Sequence, residues 1–482
     1  MDKIVTRFAP SPTGFMHIGG VRTALFAYLF ARKHGGTFIL RIEDTDKERE
    51  VPGSIAHIEK SLSWLSLDWD YGPDRPGPFG SCIQSERLES YRTYAQKLIE
   101  KGLAYPDPYT KEELESFRAQ AQAENRPFLF RDHRPERFDA WDGTKALRLK
   151  VPEIKRYRWN DAVRGELEAG EEMLDDIILI KADGYPTYNF AHIVDDLEMG
   201  VTHIMRGDEF ISSMPKFLSI YDALEIPYPI FATLPPILRD DRTKKLGKRD
   251  GAKDILAYKD EGYLPEAMMN FLALIGWNPG TPQELFSREE LIDAFDIAKI
   301  QKSGGAFNEE KLLWMNKEYL SMLSEEQFFS YAQEALPERV TILPQYSSQR
   351  LLRLLPVIRE RVAIKAEITA AAEAGEYDFA FAAPDPSPAI LTWKNDASAA
   401  DAFPRLTHAA ELLQNADFSS PETIKEALWG YAEEAGRGEL LWPLRVSLTG
   451  RERSPDPFIS AYIIGKDESL ARIKRACDKI AA

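Results

Sequence analysis

The chain has 482 residues, a formal net charge of −16 at pH 7 and two cysteines, Cys82 and Cys477. That length fits about three domains of roughly 100–200 residues each, and two distant cysteines exclude a disulfide framework or a cysteine-built zinc site, which points to a reducing cytoplasm. The acidic balance argues against a nonspecific polyanion binder but leaves room for a nucleic acid held on a locally basic surface.

In chain order, the start Met1–Arg7 lacks the apolar core of a signal peptide, and no window of about 18 uncharged apolar residues predicts a membrane span. A strand is predicted over 4–9, Ile-Val-Thr-Arg-Phe-Ala. Pro10, Pro12 and Gly14 break it, and an apolar helix runs from about Val21 to Lys33, closed by Gly35-Gly36. Thr37–Ile42 is almost continuously apolar, which suits a buried parallel strand. Strand, helix and strand make a βαβ unit, the seed of a Rossmann-like doubly wound α/β sheet.

From about Tyr105 to Pro186 the chain turns polar and proline-rich and reads as an insertion between two halves of the sheet. Strand signals return at Ile177–Ile180 and His203–Met205. After about Asp254 the pattern is helical, as in Pro265–Ile275 with proline in its first turn. A boundary is expected near Ser324, followed by Ala- and Glu-rich helices, and no internal repeat is visible.

Two segments carry chemistry. In Ala9-Pro-Ser-Pro-Thr-Gly-Phe-Met-His-Ile-Gly-Gly20, a loop hands the first strand to the first helix, where free N–H groups and the helix dipole favour a phosphate. Gly19 and Gly20 would admit a ribose or phosphate close to the backbone, and His17 could donate to a phosphate oxygen. On this loop alone, a Pro/Gly turn with an incidental histidine is an equal reading. The second segment, Lys244-Lys245-Leu246-Gly247-Lys248-Arg249, has no apolar face to bury. Its lysines suit a loop that closes over a triphosphate and stabilises a phosphoryl transition state. Seven basic residues also lie between Lys145 and Arg164, against Glu153 and Asp161. Taken alone, such a run reads as a solvated face.

With His17-Ile-Gly-Gly20 in the place of a His-Ile-Gly-His signature and Lys245–Arg249 in that of Lys-Met-Ser-Lys-Ser, the sequence resembles class I aminoacyl-tRNA synthetases. The runs Arg7–Gly14, Leu40–Asp46, Asp183–Tyr188, Tyr263–Ala267, Lys311–Asn316 and Leu444–Gly450 narrow the resemblance to the bacterial glutamyl members and extend it over essentially the whole chain. The resemblance implies an ATP-dependent ligase that joins L-glutamate to tRNA(Glu) through a glutamyl-adenylate. A carboxylate needs no general base, so positioning and charge stabilisation should carry catalysis.

The residues implied are His17, Lys245 and Lys248 for catalysis, with Thr13, Gly19, Gly20 and Arg249 also toward ATP and its Mg2+. Glutamate would be held by Arg7, Ala9, Ser11, Glu43, Tyr188, His192 and Arg206. Here the arginines suit the γ-carboxylate and Glu43 the ammonium group. Lys145, Arg148, Lys150, Arg156, Arg158 and Arg164 would contact tRNA phosphates.

The implied domains are a catalytic sheet in two halves, 1–104 and 187–253, an inserted acceptor-binding domain at 105–186, a helical stem-contact domain at 254–324, and an all-α anticodon-binding region at 325–482. Gly20 and Gly247 replace a histidine and a serine of the signatures. Many relatives hold zinc through cysteines where this chain reads Ala104–Tyr109, so no metal site is expected. A cytoplasmic monomer is expected. A version that also glutamylates glutamine tRNA, and a tRNA-binding paralogue without catalysis, remain as alternatives, the latter disfavoured by intact His17, Lys245 and Lys248.

Overall fold

The structure is a computed structural model that describes residues 3–247 and 253–482. The chain forms two compact units, one of residues 1–260 and 265–312, the other of 261–264 and 313–482.

The first unit is organised by a six-stranded sheet. Strand β1 (Val5–Phe8) continues into helix α1 (Ile18–Lys33) and strand β2 (Thr37–Leu40), which pairs in parallel with β1 from Val5↔Thr37 to Phe8↔Leu40. Every residue of β2 is buried, as its unbroken apolar run predicts. Helix α1 begins three residues before the apolar pattern does, because the His17 side chain accepts the Gly19 N–H and caps the end. At the far end Gly36 lies against β1: a Cβ there would stand 2.4 Å from the Ile4 carbonyl oxygen.

Helices α2 (Ser54–Trp64) and α3 (Leu88–Glu100) follow. A small antiparallel sheet then joins β3 (Ala104–Pro106), β4 (Leu147–Leu149) and β7 (Ile178–Ile180). Helix α4 (Lys111–Ala123) falls between the first two of these strands, opened by a capping box from Thr110 to Glu113. Between the last two, β5 (Tyr157–Asp161) and β6 (Gly165–Ala169) form a hairpin. Within the polar segment read as an insertion between the two halves of the sheet, this hairpin closes one edge of the main sheet, whose order is β2-β1-β8-β9-β5-β6. Here β8 is His203–Gly207 and β9 is Ile230–Leu234, parallel to one another. The attachment is polar. Buried Asp161 accepts from the Thr233 N–H and hydroxyl and from the Val163 and Arg164 N–H groups.

The path from β1 goes outward to β2 and then returns to β8 on the other side, so the sheet reverses its order between β1 and β8. Ligands in doubly wound sheets bind outside the carboxyl ends of the strands at such a point. Those ends carry Arg7, Glu43 and Arg206.

The second unit is helical. Its core gathers, among others, Phe328, Leu351, Leu354, Ile358, Leu406, Leu444 and Ile473. The expected stop near Ser324 is a capping box: its side chain accepts from Gln327 N–H and the Gln327 side chain returns to Ser324 N–H. The compact unit nevertheless starts earlier, at 313, inside the helix Glu309–Met322. Among the described residues no helix is long and apolar enough to cross a membrane, and no group of three or more His, Cys, Asp or Glu residues is arranged to hold a metal ion.

Candidate active site

The carboxyl ends of β1, β2 and β8 enclose a cavity of about 240 Å³ lined by Arg7, Ala9, Ser11, Glu43, Tyr188 and Arg206. A larger cavity of about 640 Å³ adjoins it, sharing Ser11, Glu43, Tyr188 and Phe210 and adding Thr13. Thus six of the seven residues expected to hold an amino acid converge, although they come from distant stretches of chain. The seventh, His192, lines neither cavity. It lies on helix α5 (Tyr188–Glu198), stacked on Tyr188 at 4.7 Å, and its Nδ1–H donates to the Tyr188 carbonyl. Burial pulls its imidazole down to about 3, so it stays neutral. It supports the tyrosine from below and does not face the cavity.

The charges beneath the cavity form one network. Arg7 Nε donates to Asp196 Oδ1 at 3.0 Å. Arg41, fully buried, donates to the same oxygen at 2.7 Å and to Glu43 Oε1 at 3.1 Å. Neighbouring Asp195 accepts from Arg87, Gln84 and Tyr91. Burial would raise the Asp196 carboxyl, but Arg41 and Arg7 outweigh it and hold it at about 2. For Glu43 the balance is reversed: burial outweighs the same two guanidinium groups and pushes the carboxyl up to about 7.

Among the described residues Arg206 has no such partner. Its guanidinium is buried among the rings of Phe210, Phe217 and Phe231, its Nη2 meets the Met214 sulfur, and its Nη1 has no hydrogen-bond acceptor. Burial lowers its pKa. Among the described residues no carboxylate pairs with this buried cation, although Glu43 and Glu209 also line the cavity, and that leaves a place for an anion to complete.

His17, Gly19, Gly20 and Lys245 line neither cavity; His17 accepts from Gly19 N–H through Nδ1, which leaves Nε2 as the protonated nitrogen. A Cβ at Gly19 would lie 2.9 Å from His17 Cε1, so this glycine gives room to the histidine ring. A Cβ at Gly20 would meet only ordinary contacts near 3.8 Å. Lys245 is exposed and held by Glu209, with Nζ 2.9 Å from Oε2. Lys248 and Arg249 lie outside the described residues.

The basic segment does not form one surface. Alternation along β5 turns Arg158 outward, and Arg156, just before the strand, is exposed on the same side; both pair with Glu168 of β6. Arg164 donates to the Lys302 carbonyl, and Lys145 is exposed, while Lys150 lies over the Phe138 ring. Arg148, expected to meet phosphate, is instead buried. It is bonded to Asp107 and to the Asp176 carbonyl and lies 3.5 Å over the Phe130 ring, because β4 is buried on both faces and Arg148 sits on the face opposite Leu147 and Leu149.

Comparison with known proteins decides what this arrangement belongs to. The family model described as tRNA synthetases class I (E and Q), catalytic domain, matches residues 3–314, and an anticodon binding domain matches 327–477. The chain belongs to the class I tRNA synthetases of the E and Q group. Curated relatives named glutamate–tRNA ligase include one from Clostridium botulinum, 40% identical over all of this chain and 99% of its own length. Another, from Anaeromyxobacter, is 40% identical over 99% of both. A solved glutamate tRNA ligase from Elizabethkingia meningosepticum, described in complex with its amino acid, superposes with a TM-score of 0.88 at 35% identity, covering 99% of this chain and all of that one. A second, from Elizabethkingia anophelis, gives 0.84 at 34%, again over 99% of this chain and all of that one.

For this synthetase the sequence reading missed Arg41, Arg87, Asp195 and Asp196. Their signal was present. Arg41 interrupts the apolar run Phe38-Ile-Leu-Arg-Ile42, and Asp195-Asp196 end the apolar stretch Phe190–Val194. Charges set in sequence this apolar are buried only when paired, so the three had to find one another.

Proposed function

We propose that the protein activates L-glutamate with ATP, entering as its Mg2+ complex, and transfers the glutamyl group to the terminal adenosine of tRNA(Glu), releasing AMP and pyrophosphate. The unpartnered guanidinium of Arg206 carries this reading. With Arg7 across the 240 Å³ cavity, it supplies planar donors to a side-chain carboxylate. A neutral amide could offer only one acceptor oxygen and would leave a buried cation uncompensated, which favours glutamate over glutamine. Glu43, on the rim shared by both cavities, faces the ammonium group as an anion. The α-carboxylate is then presented toward the His17 loop and attacks the α-phosphate, with His17 Nε2–H and the signature lysines taking up the charge that develops.

Thr13, Gly19, Gly20, Lys245, Lys248 and Arg249 are assigned to ATP. Outward-facing Lys145, Arg156 and Arg158, with Lys150 and Arg164, are assigned to the tRNA acceptor end. The helical region 325–482 is assigned to anticodon bases, read by stacking and edge hydrogen bonds. The protein acts as a cytoplasmic monomer.

The test is charging of purified glutamate and glutamine tRNAs with labelled glutamate, by the wild-type chain and by Lys248→Ala. The expected result is charging of glutamate tRNA alone, lost in the variant. Equal charging of both tRNAs would overturn strict discrimination, and charging of neither would overturn the activity itself.

A further inference from the structure

His57 stands outside the two cavities, on α2, yet touches the opening loop and, at Asp254, the chain six residues beyond Lys248. Its ring is stacked on Phe15 of the opening loop, with centroids 4.6 Å apart and an interplanar angle of 21°. Its Nδ1 faces the Met16 N–H at 3.4 Å, and its Nε2 lies 2.8 Å from Asp254 Oδ2. A nitrogen that accepts at Nδ1 leaves the proton on Nε2, so His57 donates to Asp254. The other Asp254 oxygen accepts the Leu256 N–H at 3.0 Å. The backbones meet as well: His17 and Asp254 form an antiparallel bridge, and Ile255 N–H donates to the Met16 carbonyl at 3.1 Å. Asp254 follows Lys248 by six residues and enters the helix Ile255–Glu261. The start of α2 is itself fixed to the opening loop, since the Val51 N–H and Ser54 hydroxyl both donate to the Pro12 carbonyl at 2.9 Å.

We propose that His57 is a positioning residue for adenylate formation, a clamp through Phe15 and Asp254 that registers the re-entry point of the lysine-bearing segment against the His17 loop. Phosphoryl chemistry of this kind depends on placing two groups of donors around one triphosphate, and small misplacements cost rate steeply. The backbone bridge brings the two segments together, and the side-chain pair sets their lateral register. The proposal rests on the ATP-dependent reading above.

The experiment is a double-mutant cycle on the full chain with His57→Ala, Asp254→Ala and the pair, read as tRNA-dependent pyrophosphate exchange. Thermal melts accompany it, as does amide hydrogen exchange over 15–17 and 254–256. Each single substitution is expected to lower kcat/KM for ATP about tenfold with KM for glutamate within about twofold, the pair falling no further than the worse single. Exchange should quicken in both stretches, and His57→Gln, whose amide still donates to Asp254, should recover part of the loss. Additive losses, an equal rise in KM for glutamate, or unchanged amide exchange would overturn the clamp. A wild-type chain that forms no adenylate would overturn the proposed function instead. The exchange measurement needs no substrate and would still decide the clamp.

Discussion

On the proposed reading, the single buried charges of Arg206 and Glu43 set what the cavity accepts. Removing one member of a buried ion pair usually leaves an orphaned charge and costs several kcal/mol. Among the described residues Arg206 has no paired carboxylate to orphan, so Arg206→Met should leave Tm unchanged or raised, while KM for glutamate rises about 10- to 150-fold, the span of a charged hydrogen bond worth roughly 1.5–3 kcal/mol. Calorimetric melts beside steady-state kinetics check both halves, and a fall in Tm would show that the guanidinium is structural. Glu43 titrates near 7 against an ordinary 4.5 because burial opposes its charge. Its folded value lies above its unfolded one, so its contribution to stability is fully present below about pH 4.5 and is lost as pH rises through about 7. The anion that binds the ammonium group therefore forms at the expense of stability. It follows that kcat/KM for glutamate should fall with unit slope below about pH 7, and that Glu43→Gln should be slow at all pH values and lack this limb. A limb that persists in Glu43→Gln would assign it elsewhere.

At the scale of elements, the hairpin β5–β6 depends on one carboxylate. Asp161 is 2% exposed and gathers the Thr233 N–H and hydroxyl with its own turn's N–H groups, so Asp161→Ala strands several buried donors together. A loss of at least ~2 kcal/mol is expected, with faster amide exchange confined to 157–169 and 230–234. Uniform loss across the sheet would mean that the hairpin is not a separable edge. This element also marks where the sequence stopped being legible. The βαβ start was readable because its signals are local: turn residues, an apolar helix, an apolar strand. The hairpin's place was not, because Asp161 finds Thr233 across 72 residues, and nothing near Asp161 announces a partner in β9. The cavity was largely legible because Arg7, Ala9, Ser11, Glu43 and Tyr188 sit in short motif runs, with Arg206 the one lining residue named from outside them. The charges that support it were not, since Arg41 and Asp196 are 155 residues apart and only the fold brings them together. Arg148 fails for a related reason: a basic run in sequence does not say which of its members a strand turns inward.

Across the whole molecule, a net charge of −16 must be reconciled with a polyanionic partner. The reconciliation is local. The Arg158 side chain is 81% exposed and that of Arg156 51%, so under the proposed assignment both would reach a phosphate at a modest cost, exchanging the shared Glu168 for it. Arg148, at 8%, cannot do so without opening the core of the small sheet. Charge reversal at the two exposed sites should therefore raise KM for tRNA about tenfold and reduce the slope of log affinity against log salt by about 0.9 for each phosphate that is no longer neutralised, leaving Tm and KM for ATP unchanged. Arg148→Met should do the opposite, lowering Tm while the salt slope stays as it is, because its loss leaves Asp107 buried without its cation. Glu168→Gln supplies the sign that distinguishes competition from simple attraction. If the glutamate and the phosphate compete for the same two guanidinium groups, freeing them should tighten tRNA binding and leave the salt slope intact. Weaker binding in Glu168→Gln would mean that the pair with Glu168 holds the arginines in the geometry the tRNA requires.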